Sequence, residues 1–487
     1  MDVRESNGRL VAPWVMVGVI FLSIVVGMTI FFLDTLGLIA VYAVVIIAGV
    51  VVWTVTLDRV EAMWAIFVAS FVLLPFDDLR LTVGTLSVPP SALFSGLVMA
   101  IIGIRFLITR ELKIKDYGIL CSLALILFGG TLSLMAAREP EVSAWLLLKW
   151  FFHALLLIFI MSFRDRLWHL RTLLTLVLAT GALSVYGLVT YFTNNAYDVN
   201  FYAGVGTRNA TGLHLSIVLP LALGLGMVSQ LPALARLSVW SSIIVSVVAL
   251  GFTYSRGGWL ATLAGFVVFG WGRRRALVLS LVGIAILCIG YLGPVDIQER
   301  FWSIFSLQED LRHSAVTNAE RLTLGSQALR VIVDHPILGV GLGNYLLHVP
   351  RHTIHALEKP PHNFYLSVWA EGGLLALVGF LGMLWFVIRR VLRGIGETTS
   401  AVGADVLRGV LGSLVALLTH LLFMDDFNNL IVWTTIGLSV SASQIWTSQV
   451  PNDAAEKGQA DSEHRSRYWV SPRVDGSLMA ARGRRFP

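Results

Sequence analysis

Long apolar runs are the feature that most constrains the fold of this chain. A window of about 20 residues, the length of helix that crosses the hydrocarbon core of a bilayer, finds such runs from near the N-terminus to residue 447. Inside lipid every backbone N–H and C=O group must be paired within its own segment, so these runs predict helices. We expect fourteen spans, at roughly residues 13–33, 36–57, 60–75, 90–109, 117–136, 144–162, 168–192, 211–229, 238–254, 257–271, 276–293, 363–388, 407–424 and 428–447.

Composition supports the same interpretation. Apolar residues make up 56% of the 487 positions, charged residues 14%, and the mean hydropathy is +0.76, above the usual range of soluble globular chains. The expected fold class is therefore an all-α polytopic membrane protein. The formal charge of +6 does not indicate nucleic acid, because the basic residues occur in short clusters between apolar runs. Cys121 and Cys288 lie inside apolar segments, which excludes a disulfide framework or a cysteine metal site.

The distribution of arginine and lysine predicts the orientation. With a cytoplasmic N-terminus, the loops that face the cytoplasm carry 16 of these residues, and the short loops on the other side carry 5. The positive-inside rule therefore places both termini in the cytoplasm. The long loop 294–362 then faces the periplasm or the cell exterior. Residues 448–487 are polar and lack apolar periodicity, so we expect a disordered cytoplasmic tail.

The long loop contains a predicted amphipathic helix. Thr317 and Glu320 stand at capping-box spacing, and the segment stops at Pro336. Its apolar face is formed by Leu322, Leu329 and Val333. We expect this helix to lie against the membrane surface or over a cavity. The following GVGLGNY lacks the dinucleotide-binding spacing and predicts a turn that brings backbone close to another group.

Two arginines on the outer side have no role in setting the topology and are candidates for ligand binding. Arg208, in GVGTRNATG, precedes one span, and Arg256, in TYSRGGW, lies in the break between two spans. Gly257 and Gly258 would let the backbone turn sharply and approach a ligand, and a guanidinium is well shaped for bidentate phosphate contact. The alternative for Arg256 is a side chain that reaches lipid headgroups.

His362 opens the apolar run HNFYLSVWAEGG. At a helix N-terminus the macrodipole disfavours imidazolium, so a neutral ring could accept a proton near pH 7. The same helix end attracts anions, so a phosphate-bearing substrate could share the site. The alternative for His362 is a capping or interfacial role. Arg321, on the predicted loop helix, is a second phosphate-binding candidate, and its alternative is a solvated helix position.

Carboxylates add further candidates. Glu371 is expected to pair with an arginine or to orient a polar group inside the bundle, unless it simply packs beside Gly372 and Gly373. Asp425 and Asp426 lie on the outer face and could contact the same cavity or form a solvated turn. A metal site is a further alternative, but no strong carboxylate motif accompanies the histidines that would form it: His348, His352, His355 and His362.

Three segments, in this order, resemble the shared core of the O-antigen ligase and O-antigen polymerase superfamily: YSRGGWLA, NAERLTLGSQALRVIVDHPILGVGLGNY and HNFYLSVWAEGGLLALVGF. The resemblance covers about residues 240–388. It implies a GT-C-like helical membrane fold. Together with the apolar runs, the expected fold is a bundle of about 12–14 transmembrane helices with one large periplasmic loop. The resemblance also implies an inverting membrane glycosyltransferase that uses no nucleotide sugar and needs no cofactor and no metal. The implied functional residues are Arg256, Arg321 and His362, together with Arg208 and Asp425.

The resemblance divides the chain into four expected regions. Transmembrane helices occupy 1–237, the ligase-like core 238–388, further transmembrane helices 389–447 and the tail 448–487. The protein is expected in the bacterial inner membrane with its active site on the periplasmic side. In the expected mechanism the arginines hold a diphosphate and His362 orients or deprotonates an acceptor hydroxyl.

The expected function is that of an O-antigen ligase. The donor would be a polyprenyl-diphosphate-linked glycan, the acceptor lipid A-core, and the surroundings membrane lipids. A growing glycan as acceptor would instead make the protein a polymerase of O-antigen or exopolysaccharide, and protein hydroxyls are a third acceptor class. A transporter of lipid-linked glycans would place charges near the bilayer midplane and often shows paired repeats. A structural scaffold would explain the spans but not the outward arginines and histidine.

Overall fold

The computed structural model describes residues 116–162, 165–193, 207–271, 294–305, 318–349, 359–425 and 429–447, together with Tyr291 and a short antiparallel hairpin of β1 (Leu81–Val83) and β2 (Leu86–Val88). In the hairpin Leu81 pairs with Val88 and Val83 with Leu86. Some predicted segments lie outside the described residues: the spans 13–33, 36–57, 60–75 and 90–109, nearly all of 276–293, and the tail 448–487.

Apart from the hairpin, the regular structure of the described residues is helical, which confirms an all-α polytopic membrane protein. The helices are α1 (Tyr117–Ser133), α2 (Pro140–Ile160), α3 (Arg166–Thr193), α4 (Arg208–Gly226), α5 (Ala233–Phe252), α6 (Arg256–Gly270), α7 (Val295–Trp302), α8 (Asn318–Asp334), α9 (Tyr345–His348), α10 (Phe364–Glu397), α11 (Ala401–His420) and α12 (Leu430–Thr447). Short 3₁₀ turns follow α1 at Leu134–Ala136 and α7 at Ser303–Phe305.

Seven helices of the described residues are long and apolar enough to cross a membrane: α1 to α5, α10 and α11. Two further predicted spans fall on described helices that are too short or too polar to be counted among these seven. Residues 257–271 fall on α6, whose 15 residues extend about 22 Å, less than the ~30 Å of a hydrocarbon core. Residues 428–447 fall on α12, whose serines and threonines lower its hydropathy. Most of α12 is buried among other helices, so its hydroxyl groups are kept away from lipid.

Close packing of small residues holds α4 at the centre of the described bundle. Nearly all of α4 is buried, with α6 and α11 packed against it. A Cβ atom on Gly224 of α4 would lie 2.7 Å from the Asp405 carbonyl oxygen of α11, and one on Gly265 of α6 would lie 2.7 Å from the Gly412 carbonyl oxygen. Small residues at such crossings let membrane helices approach closely. Alongside this group, α10 packs along α1, and α12 packs against α2, α10 and α11.

α10 is interrupted at Gly373, whose φ of 75° lies in the left-handed region. The chain that follows α8 docks into this interruption, and a side chain at Gly373 would collide with the Ile337 carbonyl oxygen. Three backbone hydrogen bonds close the break: Val340 N–H to Ala370 O at 2.9 Å, Gly341 N–H to Glu371 O at 3.1 Å, and Leu374 N–H to Ile337 O at 3.1 Å. The turn predicted from GVGLGNY is confirmed, and the group that it approaches is the backbone of α10.

The predicted loop helix is present as α8 and ends before Pro336, while Thr317 lies outside the described residues. The face that α8 buries differs from the expected one. The buried residues are Leu324, Gln327, Ala328, Val331 and Ile332. The predicted apolar face is exposed instead, at 68% for Leu322, 50% for Leu329 and 76% for Val333. Contact of that outward apolar face with the membrane stays a prediction.

Candidate active site

The start of α10 holds His362 in a defined position. Asn363 caps the helix, because its Oδ1 accepts a hydrogen bond from the Leu366 N–H at 3.2 Å. His362 precedes the cap and has a φ of 48°, a left-handed conformation that costs a non-glycine residue about 1 kcal/mol. The Phe364 N–H donates to the Leu421 carbonyl at 2.9 Å and so ties this corner to the end of α11. The predicted helix start is therefore correct to within two residues.

Asp425 faces His362. Asp425 Oδ1 lies 3.8 Å from His362 Nδ1, which is too long for a hydrogen bond but close enough for electrostatic interaction. Burial lowers the pKa of His362; Asp425 opposes this effect, whereas the charges of Arg321 and Lys359 add to it. The imidazole is therefore neutral near pH 7. The pKa of His362 is lowered, as expected from the helix dipole, but the main cause of the lowering is burial.

Asp425 has a second oxygen that adds to this arrangement. Its Oδ2 is buried and accepts no hydrogen bond from the described residues. The neighbouring Asp426 lies outside the described residues. Asp425 is therefore better described as an electrostatic partner of His362 than as part of a solvated turn.

Arg321 extends from α8 to the same turn. Its Nη1 donates to the Phe423 carbonyl at 3.2 Å, and its guanidinium carbon lies 5.4 Å from the centre of the Phe423 ring. Burial and the positive charge of Arg300 lower the pKa of Arg321 to about 10, with Asp425 opposing and Arg208 adding to the effect. Arg321 remains protonated near pH 7, and it is not the solvated helix residue weighed as its alternative.

Arg208 and Arg256 are the first residues of α4 and α6. Ser255 connects the two helix starts, because its Oγ donates to Asn209 Oδ1 at 3.1 Å and accepts from the Gly258 N–H at 3.2 Å. Each helix start carries a partial positive charge from its unpaired N–H groups. The two arginines therefore stand where backbone and side chains both favour an anion.

Arg256 is also bound to the turn that follows α7. Its Nη1 donates to the Ser303 carbonyl at 3.0 Å and lies 3.5 Å from Ser303 Oγ. Asn318, at the start of α8, donates from Nδ2 to the Ile304 carbonyl at 3.2 Å. The turn Ser303–Phe305 thus connects the start of α6 to the start of α8, which carries Arg321.

The glycines after Arg256 have a different role from the predicted one. Gly257 and Gly258 are helical, and the left-handed residue at this corner is Tyr254, with a φ of 51°. A Cβ atom on Gly257 would lie 2.9 Å from Phe423 Cβ, and one on Gly258 would lie 3.1 Å from Gly212 Cα. The expected sharp turn at these glycines was wrong: they let the start of α6 pack against the Phe423 turn and α4.

Arg300, on α7, is a site residue that the sequence analysis missed. It is only 4% exposed, and its Nε donates to the Tyr254 carbonyl at 3.2 Å. It therefore holds the turn that precedes Arg256, while its charge acts on Arg321. A signal was present in the sequence, because Arg300 follows Ile297 by three residues and so shares the buried face of a short amphipathic helix.

Glu371 contacts the docked loop. Its carboxylate accepts hydrogen bonds from the backbone N–H groups of Gly343 and Tyr345. Burial, with a contribution from Glu371, raises the pKa of Tyr345 to about 12. The groups that meet Glu371 are backbone amides of the loop, which fits the predicted role of orienting a polar group better than that of an arginine partner.

The histidines considered as metal ligands are only partly described. His348 packs edge-on against His335 with ring centres 5.5 Å apart, and its Nδ1 lies 3.1 Å from the Asn344 carbonyl. His352 and His355 lie outside the described residues. Within the described ranges, no three histidine, cysteine or acidic side chains are grouped so that they could hold a metal ion.

These contacts gather four helix starts, those of α4, α6, α8 and α10, around the turn 421–425. The arginines of this site and His362 lie at helix starts and not at the middle of the spans. At the other end of α10, Arg390 pairs with Asp116, which begins α1. The predicted residues Arg208, Arg256, Arg321, His362 and Asp425 therefore occupy one end of the bundle.

Comparison with known proteins agrees with this core. Residues 241–381 match the family model described as O-antigen ligase. The match includes Arg256, Arg321 and His362, whereas Arg208 and Asp425 lie outside it. No curated protein matches the chain. The match gives no support to the transporter alternative. Its residues carry the motifs whose resemblance was noted in the sequence, so this part of the chain is similar to the shared core of the O-antigen ligases and polymerases.

Proposed function

We propose that the protein transfers a glycan from a polyprenyl-diphosphate-linked donor to an acceptor hydroxyl, as an O-antigen ligase at the periplasmic face of the bacterial inner membrane. One observation carries this proposal. Arg321 donates to the Phe423 carbonyl beside the turn that presents Asp425 to His362, and the charges of Arg208 and Arg300 act on Arg321. Three cations around one carboxylate in a half-buried site favour the binding of a polyanion such as a diphosphate.

The arginines bind and stabilise the diphosphate. Arg208, Arg256 and Arg321 supply guanidinium donors, and the starts of α4 and α6 add oriented backbone N–H groups. As the bond between sugar and diphosphate breaks, negative charge develops on the leaving oxygen. Cations already fixed in place stabilise that charge without reorganisation, which is how such groups lower a barrier. Arg300 acts indirectly, by holding the turn that carries Arg256.

His362 activates the acceptor. Asp425 faces Nδ1, which favours the tautomer with a proton on Nδ1 and leaves Nε2 free to accept one. The 3.8 Å separation would shorten when the imidazolium forms. The acceptor hydroxyl gives its proton to Nε2 while its oxygen bonds to the anomeric carbon. The bond from that carbon to the diphosphate oxygen breaks, and the lipid diphosphate leaves with the electron pair. A single displacement inverts the anomeric configuration.

The acceptor distinguishes a ligase from a polymerase, because both reactions use the same donor and the same displacement. We propose lipid A-core as the acceptor, since the matching family is described as O-antigen ligase. A growing glycan remains the second candidate, because polymerases share this core. A transporter would place its charged side chains near the bilayer midplane, whereas His362 and Asp425 lie at one end of the described bundle, and this position favours an enzyme.

An in vitro transfer assay tests the proposal. Purified protein is incubated with a lipid-linked glycan and either lipid A-core or a shorter lipid-linked glycan, and the products are separated by mass. We expect transfer to lipid A-core, and its loss in His362→Ala. The control His335→Ala removes an exposed histidine from the loop beyond α8 and should retain transfer. Equal activity of His362→Ala and wild type would remove His362 from the mechanism.

The phenotype of a gene deletion separates the acceptors in the host. Without a ligase, long lipid-linked chains accumulate and the lipopolysaccharide core stays bare. Without a polymerase, only single repeat units are found on the core. Single units would therefore replace the ligase proposal with the polymerase one, and an unchanged surface glycan with unglycosylated surface protein would indicate a protein acceptor.

A further inference from the structure

A cationic cavity lies at the opposite end of the described bundle from His362. It has a volume of about 270 Å³. Its lining residues come from the last turns of the membrane-spanning part of α10 and from the start of α1: Phe386, Arg389, Arg390, Arg393, Asp116, Gly118 and Ile119. The cavity and the candidate active site therefore lie toward opposite ends of α10, a helix long and apolar enough to cross a membrane.

One arginine of the cavity has a structural role. Arg390 forms an ion pair with Asp116, and its Nε donates to Ser443 Oγ at 2.9 Å. Gln444 donates from Nε2 to the other carboxylate oxygen of Asp116 at 2.7 Å. These contacts join α1, α10 and α12, and they neutralise the only carboxylate among the residues that line the cavity.

Two arginines remain available to a ligand. Arg389 and Arg393 are exposed, and among the described residues neither forms an ion pair. They stand four residues apart on α10 and therefore on the same helix face. With three arginines and one aspartate, the lining carries a net charge of +2. The cavity volume exceeds the roughly 30 Å³ of a water molecule several-fold, so a polyatomic anion fits.

An apolar surface adjoins these charges. Phe386 lines the cavity and is 40% exposed, and its neighbours on α10, Trp385 and Leu392, are 62% and 52% exposed. A ligand held here would therefore meet guanidinium groups at one end and aromatic and aliphatic side chains at the other. A lipid with a charged headgroup has that distribution, whereas a free phosphate ion would use the charges alone.

We propose that the cavity formed by Arg389, Arg393 and Phe386 binds the phosphate group of an anionic phospholipid. The two guanidinium groups contact the phosphate, and the acyl chains lie along the exposed apolar face of α10. With the orientation given under the proposed function, this lipid belongs to the cytoplasmic leaflet. Only the choice of leaflet rests on that proposal; the site itself follows from the cavity and holds whether or not the chain transfers glycans.

Lipid titration of the purified full-length protein tests the proposal. Native mass spectrometry would compare the binding of phosphatidylglycerol and of phosphatidylcholine to wild type, Arg389→Gln and Arg393→Gln. The control Arg236→Gln removes the same charge from an exposed position at the start of α5, outside the cavity. A basic residue near a membrane surface contributes about 1 kcal/mol to anionic lipid binding, so each cavity variant should bind phosphatidylglycerol about fivefold more weakly, and the control should not.

The remaining outcomes count against the proposal. Equal binding of the two lipids by wild type would show that the cavity does not select an anionic headgroup. An equal loss in the Arg236→Gln control would assign the preference to general surface charge. Displacement of phosphatidylglycerol by inorganic phosphate at the same concentration would identify the ligand as the free ion.

A variant that fails to fold is recognised by its elution profile in size-exclusion chromatography. If Arg393→Gln fails in this way, Arg393→Lys replaces it: this variant keeps the charge, so it should bind phosphatidylglycerol more tightly than Arg389→Gln does.

Discussion

His362 Nδ1 lies 3.8 Å from Asp425 Oδ1, at a point where the N-terminal end of α10 meets the turn that follows α11. The two residues are 63 positions apart in the chain, and both side chains are about one fifth exposed. The pair combines a base kept neutral by burial with a carboxylate that can stabilise it once it is protonated. This relationship sets the expected pH dependence of the reaction.

The rate of glycan transfer should depend on pH through His362. A general base works only when unprotonated, so activity should be present above the pKa of His362 and lost below it. Because that pKa is lowered from 6.5, the acidic limb should lie below pH 6.5. Asp425 raises the pKa, so Asp425→Asn should lower it further and move the limb to lower pH. The variant should also reduce kcat, because the imidazolium loses its partner.

The control for this prediction is Asp334→Asn, which removes a carboxylate at an exposed position and should leave the pH profile unchanged. A limb that moves to higher pH would contradict this assignment.

Arg321→Gln should weaken donor binding and slow transfer. The substitution removes a cation that donates to the Phe423 carbonyl and faces the proposed diphosphate site. Loss of one preorganised donor at developing charge typically costs about 100-fold or more in kcat. Steady-state kinetics with varied donor would measure the effect. Arg330→Gln, on the exposed part of the same helix, should be close to wild type, and similar losses in both variants would point to general damage to α8.

Arg256→Lys should be severely impaired although the charge is kept. The planar guanidinium donates to the Ser303 carbonyl while its other nitrogens can contact phosphate, and an ammonium cannot do both. We expect kcat/KM to fall at least about tenfold. Ser303→Ala is the matched control: it removes the hydroxyl, which also donates to the Arg300 carbonyl at 2.7 Å, but keeps the carbonyl that accepts from Arg256, so its activity should be much closer to wild type. Normal transfer by Arg256→Lys would contradict the proposed bidentate role, because it would show that a positive charge at this position is sufficient.

Gly373→Ala should destabilise the fold. The residue has a φ of 75°, and its Cβ would collide with the Ile337 carbonyl of the docked loop. With a ψ of −177°, the conformation alone costs about 1–3 kcal/mol for a residue with a Cβ, and the collision adds to it. Gly396→Ala, later in the same helix, meets no atom within 4 Å and should be neutral or slightly stabilising. Thermal unfolding in detergent would compare them, and an equal Tm in the two variants would contradict the proposed role of the break.

The orientation can be tested with single cysteines. In a background without Cys121 and Cys288, Ser326→Cys on α8 should react with a membrane-impermeant reagent in intact cells, once the outer membrane is permeable to it. Thr399→Cys, between α10 and α11, should react only after the inner membrane is disrupted. Both positions are exposed, so a difference between them reports on the side of the membrane. The opposite pattern would invert the topology and remove the periplasmic site.

Much of the candidate site was predictable from local sequence. The motifs SRGG, AERL and HNFYL pointed to Arg256, Arg321 and His362 through their resemblance to the family, and an imidazole or a cation at a helix start also has a local physical meaning. The capping role considered for His362 belongs to its neighbour Asn363 in the structure. The role of Gly257 and Gly258 was not predictable, because glycine occurs both where the chain turns and where a neighbouring segment packs closely, and the sequence does not distinguish the two. Arg300 was missed because its partner, the Tyr254 carbonyl, belongs to another helix corner.

The sequence by itself determined that the chain forms apolar helices, where most of them lie, and which family's core residues 241–381 resemble. These properties depend on hydropathy and on motifs within a few residues of one another, and lipid enforces them by requiring each segment to pair its own backbone groups. Only the tertiary structure decided that Asp425 faces His362, that Arg321 contacts the Phe423 turn, and that the chain after α8 fills the break at Gly373. These contacts join residues far apart in the chain, and they depend on how closely the helices pack, which no local pattern encodes.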